Sequence, residues 1–348
     1  MKKTRVMLKA LGLLTMLFLL PGCLDIYLTT TVHPNGSLTR TMVFEGDSAD
    51  IVENSLYMLV DEKWDTAWYT VDKEKLKFVA DRKFKNAREM NRILNPADTN
   101  RLQIRSEARL EKRFRWFFTY LDYTETMLAT NPFKTIGAEE YLTENELRLI
   151  KMDDEQREKD TTYQEEEFAQ AEKNFELFIA RSVLVEFVSL FITTPELVTA
   201  SGLTKEEFEN SREALLLHLQ KNSDFTSLED MLYETARYFD MEFIESLDEK
   251  YKDHYANMAS KLNFVQGLWD DKFTISLRMP GLMMDTGSKE LVGNNSSWKI
   301  DPFKFYLDDF SMQCESRIVN TWAFVISGII IIIALISIST GLLKKRKK

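Results

Sequence analysis

Two cysteines, three histidines and seven prolines in 348 residues leave little material for several kinds of chemistry. His33, His218 and His254 stand far apart, with no HExxH spacing and no cysteine cluster to complete a zinc site. A GxSxG elbow, a Walker loop and a dinucleotide fingerprint are also missing. No catalytic, cofactor-binding or metal-ligating residue is therefore assigned. Glu165, Glu166 and Glu167 are adjacent acids that point in different directions around a helix, and they read as a solvated helix start. Disulfides contribute nothing if Cys23 is modified, because Cys314 then has no partner in the chain and reads as a passive thiol on a strand near the membrane.

Acids are absent from residues 1–23 and 321–348, which hold nine of the 45 basic residues and none of the 55 acidic ones. The stretch between them thus carries a net charge of −19. That balance excludes nucleic acid as a partner and gives no overall attraction to anionic headgroups.

Long uncharged runs are confined to the two ends. Lys2, Lys3, Arg5 and Lys9 precede an apolar run over 10–20, which is too short to cross a bilayer and has the anatomy of a secretory signal. Leu20-Pro21-Gly22-Cys23 follows and resembles a bacterial lipobox, so Cys23 is the expected site of lipid attachment after removal of residues 1–22. At the other end, residues 321–343 are uncharged and rich in isoleucine, which predicts a transmembrane helix. Trp322 suits the headgroup region, and the five cations of residues 344–348 predict a cytoplasmic tail. Together these features predict a protein of the bacterial cytoplasmic (inner) membrane, lipid-anchored at Cys23 and single-pass. Residues 24–320 would lie outside the cytoplasm, with both their ends at one leaflet.

Between the anchors two patterns alternate. Period-two stretches occupy 25–127 and 272–318, and helical spacing with many acids fills 137–268. A hairpin is expected over 25–44 around His33-Pro34-Asn35-Gly36, then a helix over 48–63, a strand over 75–85, a short helix over 86–94, and either two strands or one long bent ribbon over 102–127. Thr143 with Glu146, Thr204 with Glu207, and Thr226 with Glu229 match the capping box, and 161–192 reads as one long helix. Strands return at 272–278, 298–300 and 303–317, with breaks at Met279-Pro280-Gly281 and Gly293-Asn294-Asn295. The fold class is α+β: an antiparallel sheet domain over 23–136 and 269–320, interrupted by an acidic helical insertion over 137–268. The two β portions are expected to pair in one sheet.

The stretch FRWFFTYLDY is the most suggestive segment. On one strand, Phe114, Trp116, Phe118 and Tyr120 would share a face, with Phe117, Leu121 and Tyr123 opposite. Such a face either lines a cavity for an acyl chain or packs as core, and the residues alone leave both open.

GCLDIYLTTTVHPNGSLTRTMVF at 22–44, KFKNAREMN at 83–91, MPGLMMDTG with SSWKID, and ESRIVNTWAF resemble the LppM-type bacterial lipoproteins over about half the chain. The resemblance implies a small sheet-and-helix domain that binds lipid or glycolipid without enzymatic activity. Two function readings follow. One is a noncatalytic envelope lipoprotein that binds lipid or another hydrophobic ligand; the other is a scaffold that docks an envelope protein partner through the acidic helical insertion.

Overall fold

The computed structural model describes residues 24–47, 51, 60–71, 75–96, 102–152, 154–194, 204–240, 255–265, 267–268, 272–288, 290–300, 302 and 304–346. The signal sequence, Cys23, His254 and most of the helix expected over 48–63 lie outside these residues.

The chain opens with the expected hairpin. β1 (Asp25–Val32) and β2 (Leu38–Asp47) pair in antiparallel register around Gly36, whose φ of +93° only glycine adopts without strain. β3 (Asp65–Thr70) and β4 (Lys75–Phe84) extend this sheet on one side. Helix α1 (Ala87–Leu94) follows, capped by the Asn86 side chain on the Glu89 amide. β5 (Ser106–Phe114) and β6 (Phe118–Met127) form a second hairpin. Helices α2 (Glu144–Lys151), α3 (Asp154–Lys159), α4 (Glu165–Thr193), α5 (Lys205–Asn222) and α6 (Leu228–Tyr238) come next, then a helical stretch over 255–265. The chain returns to strands in β7 (Lys272–Arg278), β8 (Leu282–Thr286), β9 (Glu290–Val292) and β10 (Asn295–Ile300). A one-turn helix α7 (Lys304–Leu307) leads into β11 (Phe310–Val319), and α8 (Thr321–Arg346) ends the described chain.

The fold is α+β, and two of the expected pairings need correction. The β portions build two sheets instead of one: β3-β4-β2-β1-β7-β10-β9 and β5-β6-β11-β8. Each sheet still joins early strands to late ones. The first sheet is also mixed, because β1 and β7 run parallel, Asp25 opposite Lys272 and Thr31 opposite Arg278. A parallel pair needs a long crossover, which the intervening chain supplies. The residues expected as a strand over 303–317 begin instead with α7, where the Phe305 amide bonds to the Pro302 carbonyl.

Inward positions of the two sheets alternate as the pleat requires: Ile26, Leu28 and Val32; Leu38, Met42 and Phe44; Phe273, Ile275 and Leu277; and from the second sheet Leu121, Tyr123, Met127, Met312 and Cys314. The Cys314 thiol lies against Thr286 Oγ1 at 3.3 Å, and burial pushes its pKa up. Two charges break the apolar pattern: Arg40 in β2 and Glu125 in β6 meet as an ion pair across the sandwich.

The strand registers order the molecule along one axis. β11 runs toward α8, so Val319 and Phe118 mark the end nearest that helix, and Phe310 and Met127 mark the far end. Arg278 is followed by the turn at 279–281 and by Leu282, which pairs with Arg317, so β7 ends near α8. Because β1 is parallel to β7, it also finishes at that end and starts at the far one. Lys112, near the end of β5, confirms the placement by donating to the Pro34 carbonyl at 2.9 Å. Leu24, buried and accepting from the Lys272 amide, therefore lies at the far end. At about 3.3 Å per residue the eight residues of β1 separate it from the α8 end by about 25 Å. Leu24 and Asn320 thus lie at opposite ends of the sandwich, where both ends of residues 24–320 were expected at one side of the domain.

The helices pack at the far end as well. Phe175 and Phe178 of α4 pack edge-on against Tyr306, Lys151 pairs with Asp308 at 2.7 Å, and the Thr130 amide bonds to the Phe305 carbonyl. Buried side chains of the helices and both sheets form one continuous apolar cluster.

Candidate membrane-facing site

Among the described residues, Thr321–Thr340 forms one helix long and apolar enough to cross a membrane, with little of it buried against the protein. Twenty residues at about 1.5 Å each give about 30 Å, the thickness of the hydrocarbon core. The site is the end of the sandwich from which this helix leaves.

Asn320, nine-tenths buried, is the joint. Its amide donates to the Phe117 carbonyl at 2.9 Å, and its carbonyl accepts from the Ala323 amide at 2.9 Å in the first turn of α8. Its side-chain oxygen accepts from Thr119 Oγ1 at 2.9 Å, and Nδ2 donates to the carbonyls of Arg115 and Trp116 at 2.9 and 3.3 Å. Every polar group of the residue is thus spent on the β5–β6 turn or on the helix start.

Aromatic rings extend the joint. Phe114 stacks on Trp322 with ring centres 6.1 Å apart, Trp116 meets the same indole edge-on at 5.3 Å, and Phe117 packs on Phe324 at 4.6 Å. The Trp116 indole also donates to Ser327 Oγ at 2.9 Å, a full turn further along α8. Pairs of this kind contribute about 0.5–1.5 kcal/mol each beyond area burial. The hairpin tip and the helix therefore move as one piece.

These contacts revise the geometry expected for FRWFFTYLDY. A turn at 115–117 divides the stretch, so Phe114 ends β5 while Phe118 and Tyr120 open β6, and Trp116 belongs to neither strand. Trp116, Phe117 and Phe114 remain exposed even with the helix beside them; Phe118 and Tyr120 are half-buried, beneath Arg317 and Arg113 respectively. The turn reverses the parity of the pattern: Phe114 lies opposite Thr119 and so shares a face with Leu121 and Tyr123, while Phe118 and Tyr120 take the other face, and the four aromatics expected on one face do not share it.

Other apolar side chains share this end. Leu282 lies opposite Arg317, Val319 precedes the joint, and Val292 is 80% exposed at a turn tied to residues 279–281, where Met279 and Gly281 bond to Asn294. Several strand ends thus present an apolar rim around the start of α8.

The remaining sequence candidates are dispersed. His33 Nε2 meets Thr39 Oγ1 at 2.8 Å in the β1–β2 turn. His218 pairs with Glu234 at 2.9 Å between α5 and α6. Glu165, Glu166 and Glu167 are exposed in the first turn of α4. Sequence reasoning missed Asn320 and Arg115, whose surroundings depend on the distant β5–β6 turn meeting the end of β11. It also missed Arg40 and Glu125, although their signal is visible: each is a charge in phase with the apolar side of a strand alternation.

No protein-family model and no curated protein sequence matches the chain. Among solved structures, it is similar to the folded domain of LppM from Mycobacterium tuberculosis, determined by NMR. That match has a TM-score of 0.30 and 8% sequence identity, and covers 86% of this chain and 94% of that one. A likeness this distant carries no argument about activity. The site must be read from its own geometry.

Proposed function

We propose that the protein is a noncatalytic lipoprotein of the bacterial cell envelope, held in the cytoplasmic membrane by α8, with the double-sheet domain outside the cytoplasm and its apolar rim engaging bilayer lipid. In this reading residues 1–22 are the export signal, Cys23 carries the lipid, and the cations of residues 344–348 keep the tail inside. The observation that carries it is the joint at Asn320. Because the β5–β6 tip is fastened to the first turns of a membrane-spanning helix, the rim faces the bilayer whenever the helix is inserted. Tryptophan and phenylalanine are the side chains expected in such an interface.

The full chain in vesicles of brominated phospholipid tests this. Fluorescence should be quenched, and the quenched fraction should fall sharply when Trp116→Phe and Trp322→Phe are combined. Quenching that ignores the double substitution would place the bilayer elsewhere.

One observation favours the scaffold as a second reading. The helices pack at the end remote from α8, and α4 begins with the exposed acids Glu165, Glu166 and Glu167. Charge reversal at these three positions should then remove a partner from pull-downs of the full chain. Identical recovery with and without the reversal would count against it.

A further inference from the structure

Net charge conceals a local reversal at the membrane-facing end. Residues 112–121 contain Lys112, Arg113 and Arg115 and no acid, within a stretch whose overall balance is −19. Three cations of this end are already engaged. Lys112 donates to the Pro34 carbonyl, Arg113 pairs with Glu315 at 2.6 Å and lies over the Tyr120 ring, and Arg317 lies over the Phe118 ring at 4.9 Å.

Arg115 is different. It sits at the apex of the β5–β6 turn and its backbone is fixed on both sides, the amide bonded to the Phe118 carbonyl at 2.7 Å and the carbonyl accepting from Asn320. Its side chain is exposed and makes no hydrogen bond or ion pair among the described residues. On either side stand Phe114 and Trp116, which pack on Trp322 in α8. Arg115 is therefore a guanidinium held at the depth where the helix meets the headgroups, on a rigid turn whose neighbours are interfacial aromatics. The N-terminus of α8, the positive end of its helix dipole, opens into the same layer.

We propose that Arg115 binds the phosphate of an anionic phospholipid in the bilayer that holds α8. The planar fork of arginine suits two phosphate oxygens at once, and the adjacent rings cover the glycerol and upper acyl region of the same lipid. A zwitterionic lipid offers the same phosphate, but its own ammonium competes for it; an anionic headgroup leaves the charge uncompensated. Orientation and local charge thus favour anionic lipid at a domain whose total charge repels it. The proposal rests on the membrane-facing reading above and adds to it the ligand class and the residue.

The test is native mass spectrometry of the full chain in micelles containing equal phosphatidylglycerol and phosphatidylcholine. The basic tail adds the same background to every variant, so the comparison is between proteins. The wild type should retain phosphatidylglycerol over phosphatidylcholine by about fivefold more than Arg115→Gln, the ratio given by about 1 kcal/mol per cation at a membrane surface. Arg115→Lys should recover part of the preference, since the charge remains and the fork is lost. Excess inorganic phosphate should leave the bound lipid in place; full displacement would mean a soluble phosphate site and overturn the proposal. Equal lipid ratios for wild type and Arg115→Gln, with brominated-lipid quenching of both intact, would refute the headgroup site alone. Loss of quenching in the wild type would instead remove the membrane-facing reading on which it rests.

Discussion

Arg40 on β2 and Glu125 on β6 form an ion pair inside the sandwich, each side chain only 1% exposed. Tyr123 donates to the Glu125 carboxylate at 2.7 Å and Thr30 at 3.2 Å, so the carboxylate is well supplied with donors. Arg40 is less well served: Nε and Nη1 have no hydrogen-bond partner among the described residues. The pair therefore costs much of what it returns, yet losing one member strands the other. Glu125→Leu should destabilise the domain by about 3–5 kcal/mol, whereas Arg40→Met combined with Glu125→Leu should recover most of the loss. Urea unfolding of the two variants separates these outcomes, and equal loss in both would show that the pair is a net stabiliser.

The same carboxylate sets an acid limit. Burial pushes the Glu125 pKa up, but the Arg40 charge with the hydrogen bonds from Tyr123, Arg40 and Ser106 outweighs this and holds it below the usual 4.5. A folded value below the unfolded one means that the stabilisation is fully present above the unfolded value and disappears as pH falls through the folded one. Stability should be level from neutral pH down to about 5 and then decline. Glu125→Gln should be less stable at neutral pH and lose less on acidification. Thermal melting of the two proteins across this range gives the comparison, and parallel acid profiles would assign the decline to other carboxylates.

Asn320→Ala should loosen the joint without unfolding the sandwich. The substitution removes the bonds to Thr119 Oγ1 and to the Arg115 and Trp116 carbonyls but keeps both backbone bonds, a loss of about 1–3 kcal/mol confined to the turn. Hydrogen exchange should quicken at residues 115–119 and stay unchanged in β1 and β7. Uniform quickening would make Asn320 a determinant of the whole fold.

Local signals were the ones the sequence carried plainly. The β1–β2 hairpin is written in Asn35-Gly36, the helix at Ala87 in Asn86, and the long helix α4 in its apolar run; Thr143 and Thr204 cap as their spacing requires. The third capping box failed by one residue. Ser227 caps α6 through the Asp230 amide, while Thr226 bonds back to Asp224. Both residue pairs suit a cap, and the local Asx turn decides between them. β3 went unseen because its Asp-Thr-Ala-Trp-Tyr-Thr run is almost wholly exposed and lacks an apolar side. The two-sheet arrangement and the site were illegible for a common reason: register between distant strands leaves no mark in composition or spacing.

That failed box makes a stability prediction. Ser227→Ala should cost about 1 kcal/mol of helix stability and Thr226→Ala clearly less, while Thr204→Ala should match Ser227→Ala. Chemical denaturation of the three variants checks the order. A greater loss from Thr226 than from Ser227 would restore the cap read from sequence.

Leu24 and Asn320 stand at opposite ends of the sandwich, and this bears directly on how Cys23 is used. Acyl chains on Cys23 would be tethered to Leu24, which is buried and bonded to Lys272 about 25 Å from the layer where α8 begins. Reaching that layer would require freeing most of β1, whose Ile26, Leu28 and Val32 lie fully in the core and whose loss would unpair β2 and β7 together. Tipping the domain would instead break the Asn320 and Trp116 contacts with α8. Burying three such side chains contributes about 1.5–3 kcal/mol each, and the lost pairing of β2 and β7 adds to that cost, which opposes the pull of the acyl chains on β1. Hydrogen exchange over residues 25–32 should therefore be the same in the acylated protein and in Cys23→Ala, both reconstituted through α8, and Cys23→Ala should remain membrane-bound. Faster exchange of β1 in the acylated protein alone would show that the lipid draws the strand out of the sheet.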